Sequence, residues 1–209
     1  MKYINLLMLV FAFVISGAKS AQAGLLIEPY GGYASGTLSN TQKATPFVAG
    51  EGTFAGSVVG GRLGVSFLGL WLAGDYMSLA PGVAITKPSG TAGLTMASRY
   101  AFVDAGYDFP FLLRVWGGYG VSNYLRLTYA DTTGSYEDIA TGGTAAKFGV
   151  GFTFLMFCSL NVEYISPSFK TINNNKNGVS LFNGDVDARY SNYNAPFTIV
   201  TLSFPINLL

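Results

Sequence analysis

Residues Leu113 to Tyr129 read LRVWGGYGVSNYLRLTY. In an extended chain successive side chains point to opposite faces, and this stretch then separates into two rows of different chemistry. One row is bulky: Leu113, Val115, Gly117, Tyr119, Val121, Asn123, Leu125, Leu127, Tyr129. The other is small, polar or cationic apart from two aromatics: Arg114, Trp116, Gly118, Gly120, Ser122, Tyr124, Arg126, Thr128. A strand of a soluble sandwich also alternates, but it seldom runs this long with paired glycines on its polar face. A strand crossing a bilayer in a closed barrel needs roughly ten residues, an apolar outward row and aromatics where lipid meets water. The stretch predicts such a strand.

The N-terminus agrees with export. Met1-Lys2-Tyr3 is a short basic region, Ile4 to Ile15 an apolar run, and Ala21-Gln22-Ala23 a small-residue cleavage site, so residues 1–23 read as a secretory signal peptide. It contains no cysteine and so offers no lipoprotein attachment site. Residues 24–209 remain as one domain. Half of all residues are hydrophobic and only 11% are charged, yet beyond Ala23 nothing approaches the ~18 uninterrupted apolar residues of a spanning helix. Without Lys2 and Lys19, acidic residues outnumber basic ones by one. A nucleic-acid partner would leave a basic stripe, and none is visible. Cys158 is the single cysteine, which excludes an internal disulfide framework and a cysteine-based metal site. It reads as a small apolar side chain at the membrane edge, with a reactive thiol as the alternative.

Seven further segments resemble the first. Strand 1 spans Leu25 to Ser35. Strand 2, about Thr53 to Phe67, sets Val59, Leu63, Val65 and Phe67 against Gly60, Arg62, Gly64 and Ser66, and only Leu68-Gly69 separates it from strand 3, about Leu70 to Leu79. Strand 4, about Thr91 to Tyr107, is the least regular, because Arg99 and Asp104 have opposite parity; a bulge between them or an Arg99 near the headgroups resolves this. Strand 5 is the opening stretch. Strand 6, about Ala145 to Leu155, sets Phe148, Val150, Phe152 and Phe154 against Lys147, Gly149, Gly151 and Thr153. Strands 7 and 8 are about Leu160 to Ser168 and Phe197 to Ile206. Polar stretches up to Gly52, Pro81 to Gly90, Ala130 to Gly143 and Phe169 to Pro196 read as long loops, so connections alternate long and short. That habit belongs to all-β, eight-stranded antiparallel up-and-down transmembrane barrels, with short periplasmic turns and long extracellular loops. Phe67, Tyr107, Phe109, Phe111, Phe154, Phe157 and Phe204 gather at the short-turn end, and Tyr33, Tyr76, Tyr129 and Tyr164 toward the loops.

The signal peptide, the opening Glu28-Pro29-Tyr30-Gly31-Gly32-Tyr33, the strand end Asp104-Ala105-Gly106-Tyr107-Asp108-Phe109 and the eight alternating segments together resemble the small outer-membrane β-barrels of Gram-negative bacteria, typified by the OmpA transmembrane domain, OmpX and OmpW. The resemblance implies an outer-membrane location, contact with outer-membrane lipid and lipopolysaccharide, and insertion by the barrel-assembly machinery. Such barrels usually end on an aromatic read by that machinery. Here the chain ends Phe204-Pro205-Ile206-Asn207-Leu208-Leu209, so either Phe204 serves or the signal departs from the pattern.

With the bulky row toward lipid, Glu28, Arg62, Asp75, Asp104, Arg114, Lys147 and Glu163 face the lumen as a charge network. Isolated charges there are costly, so they should pair. A salt-bridged plug is the expected result, since eight strands leave room for little more than side chains; a narrow channel or a binding barrel for small solutes or lipid-like molecules is the alternative. Catalysis is not expected. The chain has no histidine, which excludes a Ser-His-Asp triad and a histidine-ligated metal. Adjacent Glu137 and Asp138 read as solvated loop charges, and Gly60-Gly61 and Gly117-Gly118 lack the Lys-Ser/Thr of a phosphate loop. No cofactor or metal is expected; Asn183, Asp185 and Asp187 alternate like a calcium loop whose remainder is missing. In the last loop, Asp185, Asp187, Arg189, Tyr190 and Tyr193 are candidates for recognising an extracellular ligand. The rival fold is a soluble lipocalin-type barrel, which reverses the two rows.

Overall fold

A long alternating strand needs partners on both edges, because unpaired backbone groups facing lipid cost several kcal/mol each. The chain meets this demand by closure. The computed structural model describes residues 23–42, 50–86, 94–110, 112–131, 134–155 and 158–208, and the signal segment 1–22, the loop residues 87–93 and the aromatics Phe111 and Phe157 lie outside them. The strands are β1 (Gly24–Gln42), β2 (Gly50–Phe67), β3 (Leu70–Thr86), β4 (Leu94–Asp108), β5 (Leu113–Asp131), β6 (Gly134–Thr141), β7 (Ala145–Leu155), β8 (Cys158–Pro167), β9 (Thr171–Lys176), β10 (Val179–Asp185), β11 (Tyr190–Asn194), β12 (Phe197–Ser203) and β13 (Ile206–Leu208), with one helical turn, α1 (Val186–Arg189). Antiparallel pairing runs β1–β2–β3–β4–β5–β7–β8–β12, and β12 returns to β1. Those eight strands are the barrel wall. Past Pro205, β13 resumes the last strand against Leu25, Leu26 and Ile27.

The turn between β2 and β3 is the predicted two-residue connection: Leu68 and Gly69 both take positive φ, 53° and 82°, matching the twist of the flanking strands. On the wall, the bulky rows of β2, β3, β7, β8 and β12 point outward; Phe148 is 60% exposed and Leu63 likewise 60%. The outward apolar run gives way to a small hydroxyl at a corresponding place on strand after strand: Tyr33 to Ser35, Val59 to Ser57, Tyr76 to Ser78, Val121 to Ser122, Tyr164 to Ser166, Val200 to Thr198. From Phe67 to Val59 the belt measures about 26 Å along the strand at ~3.3 Å per residue, as a tilted strand in a bilayer requires. The lipocalin-type arrangement is thereby overturned, because Arg62, Lys147 and Glu163 are enclosed.

Four expectations need correction. First, the strands do not stop at the membrane: β1, β2, β3 and β5 run well past the hydroxyl ring, and the supposed loop 130–143 contains β6, hydrogen-bonded to β5 and β9. Secondly, the longest loop is built structure, with β9 and β10 forming a hairpin and β11 lying beside β1. Thirdly, the irregularity sits in β5. Ala101 pairs with Ser122 but Phe102 with Gly120, so Val121 is the extra residue of a bulge and parity reverses there. Hence Leu125 and Leu127 face inward and Arg126 outward, opposite to the expectation from uninterrupted alternation. β4 is regular, with Asp104 inside and Arg99 outside, so of the two readings of their opposite parity the outward Arg99 holds and a bulge in β4 does not. Fourthly, Tyr129 is no girdle residue; it stacks on Tyr136 with centroids 4.9 Å apart in the β5–β6 hairpin.

Candidate functional site

The interior is filled in three layers. At the short-turn end Leu26, Trp71, Ala73 and Trp116 form a floor, the two indoles lying 6.2 Å apart. Trp71 Nε1 donates to Asp108 Oδ1 at 3.0 Å. Glycines opposite these rings are a steric requirement. A Cβ on Gly149 would lie 2.2 Å from the Trp116 ring, and one on Gly106 would lie 2.4 Å from the Trp71 ring.

Above the floor sit all seven predicted lumenal charges, Glu28, Arg62, Asp75, Asp104, Arg114, Lys147 and Glu163, every one buried. Register brings them together: Arg62 lies directly across from Glu28 on β1 and from Asp75 on β3. Arg114 grips Glu28 with both terminal nitrogens, Nη1 to Oε1 at 2.7 Å and Nη2 to Oε2 at 3.0 Å. Arg62 spans the lumen, its Nη2 donating to Glu163 Oε1 at 2.7 Å and its Nη1 to Glu28 Oε1 at 3.2 Å. Its guanidinium also lies over the Trp116 ring, 4.7 Å from the centroid. Lys147 Nζ donates to Asp104 Oδ2 at 2.5 Å and to Asp75 Oδ2. Tyr30 Oη donates to Asp75 Oδ1 at 2.7 Å, and Trp116 Nε1 to Glu163 Oε2 at 3.1 Å. Two carboxylates thus receive a proton donor from an aromatic as well as from a cation. Charge-assisted bonds of this kind are the strong ones, and every link ties two or more strands.

The third layer is apolar and was not anticipated. Phe54, Met77, Leu79, Met96, Tyr100 and Phe197 pack across the lumen toward the loop end. Higher still, Leu125, Leu127, Ile172, Val186, Tyr190 and Tyr193 continue the same cluster, so the extracellular extension has a core of its own. Two of the five recognition candidates therefore lie inside it: Tyr190 is 2% and Tyr193 5% exposed. Burial pushes the Tyr193 phenol well above its ordinary value, with Asp138 adding to the effect. Asp185 and Asp187 are exposed, and Arg189 lies over the Phe182 ring at 5.1 Å. The signal for this layer was the run of apolar residues on the inward parity of the strand extensions, at Ala34, Leu38, Phe54 and Val58. Glu137 and Asp138 diverge: Glu137 takes Arg126 and Asn175, while Asp138 accepts from Asn174 Nδ2 at 2.6 Å. Cys158 begins β8 and is buried.

No protein-family model and no curated sequence matches the chain. Solved structures do. The outer membrane protein OprG of Pseudomonas aeruginosa aligns over 88% of this chain and 97% of its own, with 13% identity and a TM-score of 0.55. Ail, the attachment invasion locus protein of Yersinia pestis, aligns over 88% and 98%, with 7% identity and a TM-score of 0.53. At such identities the likeness concerns the fold, which is that of the small eight-stranded outer-membrane barrels.

Proposed function

From this outer-membrane fold and its filled lumen, we propose that the protein is a non-conducting barrel of the Gram-negative outer membrane. Its work is done at the envelope surface, through the extracellular extension of its strands and the lipid around them. The observation that carries the reading is the middle layer, where three cations and four carboxylates are cross-linked across the bore. A polar pathway needs mobile water between its charges, whereas these charges are satisfied by one another and by Tyr30 and Trp116. The extension supplies the second support. A packed apolar core beneath β9, β10 and α1 holds their outer face in a defined shape, and a defined shape is what recognition needs. Exposed Asp185 and Asp187, with Val179 and Leu181 on β10, are the groups it offers to an extracellular ligand.

Planar-bilayer recording of the purified, folded protein tests the first part. No large, steady conductance is expected; stable porin-like steps would overturn the non-conducting reading and favour the channel alternative.

A further inference from the structure

The outer wall carries one feature that neither plug nor apolar belt explains. Where the β4–β5 pairing is broken by the Val121 bulge, a shallow cleft of about 240 Å³ opens, lined by Tyr76, Arg99, Tyr100, Ala101, Ser122 and Tyr124. Its position is set by the hydroxyl ring. Arg99 lies across from Ser78 on β3 and from Tyr124 on β5, at the step where outward side chains change from apolar to polar. The lipid-facing Tyr76 lies one outward row below, across from Ala101, and Val103 and Tyr119 pair one row further down.

Arg99 is exposed, and its guanidinium lies 5.9 Å from the Tyr124 ring centroid. Among the described side chains no carboxylate forms an ion pair with it, whereas its diagonal neighbour Arg126 is paired with Glu137. Every other arginine on the membrane-crossing part of the wall is turned inward and neutralised. An outward arginine at the boundary of a lipid belt, with its charge uncompensated by protein, suits one environment: the headgroup layer, where an anion is supplied by the membrane itself. A guanidinium presents a planar fork of donors that matches phosphate. The bulge lies just there, and Ser122 lines the same cleft as Arg99.

We propose that this cleft binds the phosphate of an anionic, phosphorylated lipid of the surrounding outer leaflet, with Arg99 as the principal ligand and Tyr76 against the first part of its acyl chains. The proposal rests on the belt sitting in a membrane; it goes further by naming the lipid chemistry and the residue. A lipid is preferred to free phosphate because the cleft is continuous with the apolar belt, so headgroup and chains are met together.

The test is native mass spectrometry of the folded mature protein in detergent, titrated with diphosphorylated lipid A. Half-saturation is expected at about ten-fold higher lipid for Arg99→Ala, the loss of one charged hydrogen-bond donor set. Arg99→Lys should recover part of the loss, and Arg126→Ala should stay within about two-fold, since Glu137 already neutralises it. Dephosphorylated lipid A is expected to bind wild type and Arg99→Ala alike, and millimolar inorganic phosphate should not displace the lipid. Equal binding of lipid A by wild type and Arg99→Ala would overturn the proposal, as would displacement by inorganic phosphate. Flotation of the same preparations with phosphatidylcholine vesicles separates the premise: wild type that does not float sinks the membrane reading, whereas floating protein with no effect of Arg99→Ala sinks the lipid site alone.

Discussion

Lys147 is the residue on which the interior charge balance turns. It meets Asp75 and Asp104 directly and reaches Glu163 at 3.4 Å, so one buried ammonium serves three buried carboxylates. Removing one partner of a buried pair costs about 3–5 kcal/mol, because the charge left behind cannot be solvated. Lys147→Met should therefore lower the unfolding free energy by at least that amount, read from urea titration in detergent micelles. Asp104 is the opposite case. The layer holds four carboxylates for three cations, and Asp104 Oδ1 has no hydrogen-bond partner among the described residues. Asp104→Asn keeps the shape, removes the excess charge and retains an acceptor for Lys147, so it should change stability by less than about 1 kcal/mol. A large loss in Asp104→Asn would mean that the network needs the fourth negative charge.

At the scale of elements the bulge and the extension govern. The charge layer was legible in the sequence because β1, β2, β3, β7 and β8 alternate without interruption where Glu28, Arg62, Asp75, Lys147 and Glu163 reside, and period two alone then fixes which face they share. The apolar layer was legible only on β1 and β2, where Ala34, Leu38, Phe54 and Val58 keep the inward parity. Gly120, Val121 and Ser122 carry no mark of a bulge, and one inserted residue sends Leu125 and Leu127 to the inside. In 169–196 the polar runs at Asn173 to Asn175 and Asn183 to Asp187 conceal Ile172, Val186, Tyr190 and Tyr193, which are core residues. Loop composition reports the outer face of a hairpin and says little of what lies beneath it. Tyr190→Ala should accordingly cost about 3–4 kcal/mol, as large-to-small core substitutions do, and the loss should appear as protease cleavage within 171–194 while the membrane part stays protected. Tyr193 Oη has no hydrogen-bond partner among the described residues, so Tyr193→Phe should leave the extension as stable as wild type or more so. A raised phenol means the folded extension prefers the neutral form. That preference is fully present below pH ~10 and is lost as pH rises beyond it, so alkaline loosening of the extension should be weaker in Tyr193→Phe than in wild type.

For the whole molecule, the arrangement of layers matters more than any one of them. Floor, charge network and apolar layer lie one above another along a single bore, and obstructions in series do not share the burden: an ion must pass all of them. Taking out the floor shortens the plug but leaves Arg62 bridging Glu28 and Glu163, with Phe54 and Phe197 still facing one another at 6.0 Å above. A barrel filled in this way should remain silent when only one layer is opened. Trp71→Ala combined with Trp116→Ala is the direct trial, since both indoles belong to the floor and their loss leaves a cavity without removing a charge, Glu163 losing the Trp116 donor but keeping Arg62. The double variant should fold, at a cost of several kcal/mol, and in planar bilayers it should show no more conductance than wild type. Well-resolved steps from that variant would show that the two indoles alone close the bore, and that the charged and apolar layers above them are porous to ions.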